Sequence, residues 1–282
     1  MQTYSHKYGA FKAHRIVGDG MHALSNDEIR HAAPSVFAEA AHDSRSQRYA
    51  YIPTFKVVDA LRANGFLPVQ AAQSRSRMGR HDHTKHMIKF ARLGEVSTRG
   101  EVVPQVALVN SHDGTSAYKL LGGLFRFICF NGLIMSDSAV QSLKVAHTGD
   151  VRDRVIEGSF QVIDGASKAG TVTDTWRAIN LDSRESESFA TAAALLRWDG
   201  DKGAPIDTVR LLDAHRSEDT SANLWTTFNR VQENLLRGGQ RGRDANHRRF
   251  SVRPINGIDD NVKLNRALWS LAESMAAIKQ AA

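Results

Sequence analysis

The chain of 282 residues contains one cysteine, Cys129, and six prolines, and it lacks any long uninterrupted apolar run. A single thiol makes neither an internal disulfide nor a cysteine-pair zinc motif, so a reducing cytosol is the expected compartment. The most apolar stretch, residues 120–135, is broken by Arg126 and Asn131 and falls short of the ~20 residues that a bilayer-spanning helix needs. The first twenty residues have no apolar segment of the kind that marks a secretory signal. Catalytic signatures are missing as well. There is no G-x-S-x-G elbow, no Walker A loop and no G-x-G-x-x-G after a strand, so the sequence calls for no cofactor and argues for binding rather than catalysis.

Acidic residues are scarce in two particular places. Residues 73–92 carry six Arg or Lys and three His against one acid, Asp82, and residues 237–253 carry six Arg and one His against one acid, Asp244. These two stretches hold twelve of the 37 basic residues in a chain of formal net charge +7. Charge concentrated in this way is the footprint of a polyanion site rather than of a solvated surface, and the expected partner is nucleic acid. Phe90 and Phe250 are the only aromatics inside the clusters, which favours backbone contact over base readout.

The hydrophobic pattern predicts an α+β fold: a small antiparallel sheet with a hairpin, flanked by helices, followed by a mostly helical C-terminal half. Residues 1–24 read as an arm, 25–145 as the α+β core and 146–282 as a helical region with a basic loop at 238–257. Ser25 starts a short helix that Pro34 interrupts, and Thr54 is placed to cap a helix that stops at Asn64-Gly65. Beyond Gly65 the period changes to two, and the Asn110 to Gly114 turn predicts a hairpin. Pro104 places its strand at an edge or bulge. Residues 120–135 fit either a helix or a strand, buried in both cases. Further on, helices are expected over 184–197, from Leu224 to Gly238-Gly239, and from Asp259 and Asp260 onward.

The candidate phosphate-gripping residues are Arg75, Arg77, Arg80, Lys85, His86, Lys89 and Arg92 on the first cluster. On the second they are Arg241, Arg243, Arg248, Arg249 and Arg253, which would close over the same strand. His81, His83 and His86 offer an alternative, a metal-dependent enzyme acting on nucleic acid, because positions i and i+2 of an extended segment share a side. Cys129, in an apolar run, reads as a core thiol rather than a nucleophile. An interaction protein docking a host factor through the helical half is a third reading.

Six ordered strings narrow the choice: SQRYAYIPT at Ser46, GFLPVQAAQSRSR at Gly65, HTKHMIKFAR at His83, NSHDGTSAYKLLGGLFRFICFNGL at Asn110, LWTTFNRVQENLLRGG at Leu224 and VKLNRALWSLAE at Val262. Together they resemble the phage/plasmid-like family known as domain of unknown function nine hundred thirty-two, over residues 24–273. That resemblance implies a phage or plasmid setting in a bacterial cytoplasm and supplies no catalytic residues. In topology the predicted core is also similar to phage single-strand annealing proteins of the Redβ, RecT and Rad type, a small antiparallel sheet backed by a long helix. The expectation is a non-enzymatic protein that binds single-stranded DNA for annealing in recombination, without membrane association, as a homo-oligomeric ring or filament.

Overall fold

The computed structural model describes residues 11–12, 16–17, 20–21, 23–40, 51, 53–74, 81–92, 102–113, 116–126, 131–146, 150–198, 204–243 and 248–281. The chain forms two compact units, one of Met1–Lys168 with Asn256–Ile258 and one of Ala169–Ile255 with Asp259–Ala282.

The first unit begins with three two-residue strands, β1 (Phe11–Lys12), β2 (Ile16–Val17) and β3 (Gly20–Met21). β1 pairs with a strand of the main sheet, and Leu24 is buried with its N–H on the Pro68 carbonyl at 2.7 Å. Of the expected arm, β1 and Leu24 are therefore tied to the sheet, while β2 and β3 pair with each other. Helix α1 (Asn26–Ala32) has a full capping box, in which the Ser25 hydroxyl accepts from the Glu28 N–H and the Glu28 carboxylate accepts from the Ser25 N–H. Pro34 then opens a 3₁₀ turn, as its fixed φ permits.

Helix α2 (Thr54–Ala63) buries Val57, Val58 and Leu61 and ends at Asn64, followed by Gly65 at φ 81. Its start differs from the expectation. Pro53 occupies the cap position, and Thr54 is the first helical residue. The Thr54 hydroxyl is drawn inward because three buried polar side chains need it. It lies 3.0 Å from His86 Nε2, 3.2 Å from His112 Nε2 and 3.0 Å from Asn110 Nδ2.

Six further strands follow: β4 (Phe66–Gln73), β5 (His86–Arg92), β6 (Val102–Asn110), β7 (Tyr118–Arg126), β8 (Asn131–Ile134) and β9 (Leu143–Val145). They form an antiparallel sheet ordered β1-β4-β5-β6-β7-β8, with β9 also on β7. The β6–β7 hairpin stands where the turn chemistry put it, although Gly114 of that turn lies outside the described residues. Within 120–135, the described residues include strands β7 and β8; Cys129 lies outside them. The reading of Pro104 needs correcting. β6 is an inner strand, and Pro104 is tolerated because the β5–β6 pairing ends at Phe90 and Val106, before it reaches the proline.

Both faces of this sheet are buried, so β5 shows no polar alternation. Helix α3 (Val151–Gly170) covers one face: Phe160 meets Phe66 edge-on at 4.8 Å, and Gly158 lies against Leu120 and Leu143. This packing is why the unit boundary falls in the last turn of α3 rather than at residue 145. On the other face Val69, Ala91, Val103 and Phe125 make an apolar cluster beside Gln70, Lys89 and Gln105, all buried. There Lys89 Nζ donates to the Gly132 carbonyl at 3.2 Å, from β5 to β8. Three inter-strand steps span about 14 Å on a flat sheet, more than a lysine side chain can reach, so the sheet is strongly curled. A Cβ at Gly132 would displace the Lys89 amine from this contact.

The second unit contains α4 (Val172–Ala178), α5 (Ser183–Arg197), α6 (Leu224–Arg237), the short strands β10 (Arg241–Arg243) and β11 (Arg249–Ser251), and α7 (Ile258–Ala281). Its core is aromatic. Trp176 packs 4.6 Å from Trp269 and 5.6 Å from Phe228, and Trp225 stacks on Phe228 at 5.8 Å. Lys279 of α7 reaches Glu185 of α5 at 2.8 Å and holds that carboxyl below its ordinary range. Among the described residues no helix is long and apolar enough to cross a membrane.

Candidate nucleic-acid interface

The second basic cluster, expected as an irregular loop, is a two-stranded antiparallel ribbon rooted on the C-terminus of α6. Gly238 caps that helix at φ 67, where a Cβ would stand 2.6 Å from the Val252 carbonyl oxygen. Only glycine tolerates both the backbone conformation and the close approach. Chain pairing then starts at once: the Gly239 N–H donates to the Val252 carbonyl at 2.8 Å and the Val252 N–H to the Gln240 carbonyl at 2.9 Å.

Side chains lock this root. Asn234 donates to the carbonyls of Leu211 and Asp213, and its own Oδ1 takes the Gln240 amide at 3.2 Å and lies 2.9 Å from His215 Nε2. Arg197 donates to the carbonyls of Leu235 and Arg253, joining α5, α6 and the strand that leaves the ribbon. Partial burial lowers the Arg197 pKa, but an arginine remains charged under any ordinary condition. None of these anchoring roles is visible in sequence, since Arg197, Asn234 and Gln240 match no motif.

The ribbon register is Arg241 opposite Ser251, Gly242 opposite Phe250 and Arg243 opposite Arg249. Alternation puts Arg241, Arg243 and Arg249 on one face, and all three are exposed. Arg243 and Arg249 are direct cross-strand neighbours, about 5 Å apart at Cβ, which concentrates positive charge on this face. The reverse face is packed. A Cβ on Gly242 would meet the Phe250 ring at 2.8 Å and Ile206 Cγ2 at 3.0 Å. Phe250, half-buried, therefore lies on the side of the ribbon away from the three arginines. Arg248 and Arg253 are exposed at the two ends of β11.

The first cluster is divided differently. Arg75, Arg77 and Arg80 lie outside the described residues. Lys85 is half-buried, its carbonyl taking the Ser74 N–H at 2.8 Å. Arg92 is turned toward α3, 3.5 Å from Asp164 and 5.3 Å from the Phe160 ring centre. His86 and Lys89, read from sequence as phosphate contacts, need correcting, because they are 0% and 2% exposed. Burial lowers the Lys89 amine to about 8. It also lowers His86, helped by the neighbouring His112, to about 3. The His86 ring is held by Ser35 Oγ at 2.8 Å on one nitrogen and Thr54 on the other.

The extended backbone that the metal reading assumed is not what forms here. The backbone of His81–His83 is a 3₁₀ turn rather than an extended segment, and His86 points into the interior network. Among the described residues no group of three or more His, Cys, Asp or Glu is placed to hold a metal ion.

Comparison with known proteins places the sequence in a family. Residues 41–269 match the family "Domain of unknown function (DUF932)". The chain is 43% identical over 253 residues to UPF0380 protein YafZ of Escherichia coli (strain K12) and 42% identical over 253 residues to UPF0380 protein YfjQ of the same strain. Each alignment covers 89% of this chain and 91% of the relative. No solved structure matches. The chain belongs to the DUF932 family, whose function is unknown.

Proposed function

We propose that this protein binds nucleic acid by an electrostatic grip on the phosphate backbone. The observation that carries this reading is the exposed face of Arg241, Arg243 and Arg249 on an anchored ribbon. Positive charge concentrated in this way recruits polyanions. The finer activity we propose is holding single-stranded DNA for annealing during phage or plasmid recombination in the bacterial cytoplasm, by binding and not by bond chemistry. A curled antiparallel sheet backed by α3 supports it as an analogy of architecture alone. Strand pairing needs a continuous track, so several copies of the chain would act side by side.

The test is a gel-shift series with single- and double-stranded DNA and RNA at several salt concentrations. On single strands each phosphate contact contributes about 0.7 to the slope of log affinity against log salt. Replacing Arg241, Arg243 and Arg249 by Ala should therefore flatten the slope by about 2 on single strands, or by about 3 on duplex DNA, where each contact contributes about 0.9. The same loss is expected for Arg75, Arg77 and Arg80 replaced together. Unchanged affinity and slope in both variants would sink the proposal.

A further inference from the structure

The geometry of the ribbon points to a narrower substrate. Resting on the reading that the chain binds nucleic acid, we infer that β10–β11 is a duplex-DNA element that lays its arginine face into the major groove, gripping the paired product more tightly than the single strand.

Three observations carry this. First, the ribbon has the shape that the major groove accepts: two antiparallel strands with arginines on the outward face and a packed reverse face. The groove of B-form DNA is about 12 Å wide and admits a two-stranded ribbon, whereas the major groove of A-form RNA is too deep and narrow. Second, that face lacks what single strands require. Non-specific single-strand sites stack successive bases on aromatic rings. Phe250, the ribbon's one aromatic, sits half-buried on the reverse side, opposite Gly242. Among the described residues the exposed large hydrophobics are the aliphatic Leu195, Leu196, Val209 and Ile278.

Third, the arginines are presented rigidly and in register. Arg241 and Arg243 are two residues apart on one strand, roughly 7 Å, and Arg249 lies beside Arg243 on the other. A guanidinium fork matches both a phosphate and the O6/N7 edge of guanine, which faces the major groove. The Asn234, Gln240 and Arg197 bonds at the root fix the ribbon before any ligand arrives, so little ordering entropy is lost on binding.

The experiment uses the full chain, fluorescence anisotropy with a DNA hairpin duplex, an RNA hairpin duplex and an unstructured single strand of equal length, and dimethyl sulfate footprinting of the DNA duplex. The expected result is at least tenfold tighter binding to duplex DNA than to either alternative. Guanine N7, in the major groove, should be protected and adenine N3, in the minor groove, should not. Arg241, Arg243 and Arg249 replaced by Ala should lose both the preference and the protection. The same three replaced by Lys should retain the salt slope and lose N7 protection, because lysine keeps the charge without the fork. Tight binding to the single strand with no duplex preference and no N7 protection would overturn this inference while leaving nucleic-acid binding intact. No binding to any nucleic acid would overturn both. Protection that survives in the Lys and Ala variants would overturn the assignment to the ribbon.

Discussion

Replacing the buried Lys89 by Met should stabilise the protein at neutral pH, although it removes a hydrogen bond. Lys89 Nζ is buried on the curled face of the sheet, donates to the Gly132 carbonyl and has its pKa lowered from 10.5 to about 8 by burial. Below pH 8 the folded and unfolded chains both hold the proton, and the folded chain bears the full cost of a buried charge. Between pH 8 and 10.5 the unfolded chain keeps a proton that the folded chain has released, so stability rises with pH across that window. At about 1.4 kcal/mol for each factor of ten, the drop from 10.5 to about 8 amounts to about 3 kcal/mol. Methionine fills a similar volume without the charge, at the loss of a hydrogen bond worth about 1 kcal/mol. A net gain of about 2 kcal/mol at pH 7, shrinking to a small loss above pH 10.5, is the expected balance. Urea unfolding followed by far-UV circular dichroism at pH 7, 9 and 10.5 measures it, and the difference between variant and parent isolates Lys89 from other groups that titrate there. A variant that is less stable at pH 7 and whose stability still climbs between pH 8 and 10.5 would refute the reasoning.

Two other outcomes follow from features described above. His86, lowered from 6.5 to about 3, stays neutral in the fold while the unfolded chain protonates, so stability should fall as pH drops from 6.5 toward 3; a His86→Gln variant should show a flatter acid limb in the same unfolding assay. The annealing mechanism requires side-by-side copies, so light scattering should show assemblies that grow on adding single-stranded DNA; a strict monomer with and without DNA would refute annealing but not binding.

Local chemistry made much of the fold legible. Ser25 with Glu28 announces α1, the Asn110 turn announces the β6–β7 hairpin, and Leu224, Trp225 and Phe228 followed by Gly238 announce α6, because each signal is settled within a few residues of chain. What went unread depends on distant partners. Thr54 looks like a cap, but His86, His112 and Asn110, far along the chain, claim its hydroxyl. Lys89 looks like surface charge within a basic string, and only the curl that brings β8 over it reveals a buried amine. His81 and His83 look like a strand pair but sit in a 3₁₀ turn. The ribbon escaped notice because arginine and glycine carry little β propensity, and its pairing is imposed by the root at Gly238 and Val252.

The aromatic core of the second unit also decides which optical signals report on which half of the molecule. All four tryptophans of the chain, Trp176, Trp198, Trp225 and Trp269, belong to that unit, and three of them pack into its core. Intrinsic tryptophan emission is therefore blind to the sheet, whose curl and buried Lys89 lie in the half with no indole. Circular dichroism sees both halves. Superimposable transitions by the two signals would mean that the units melt as one cooperative body, and separated transitions would mean that they melt independently.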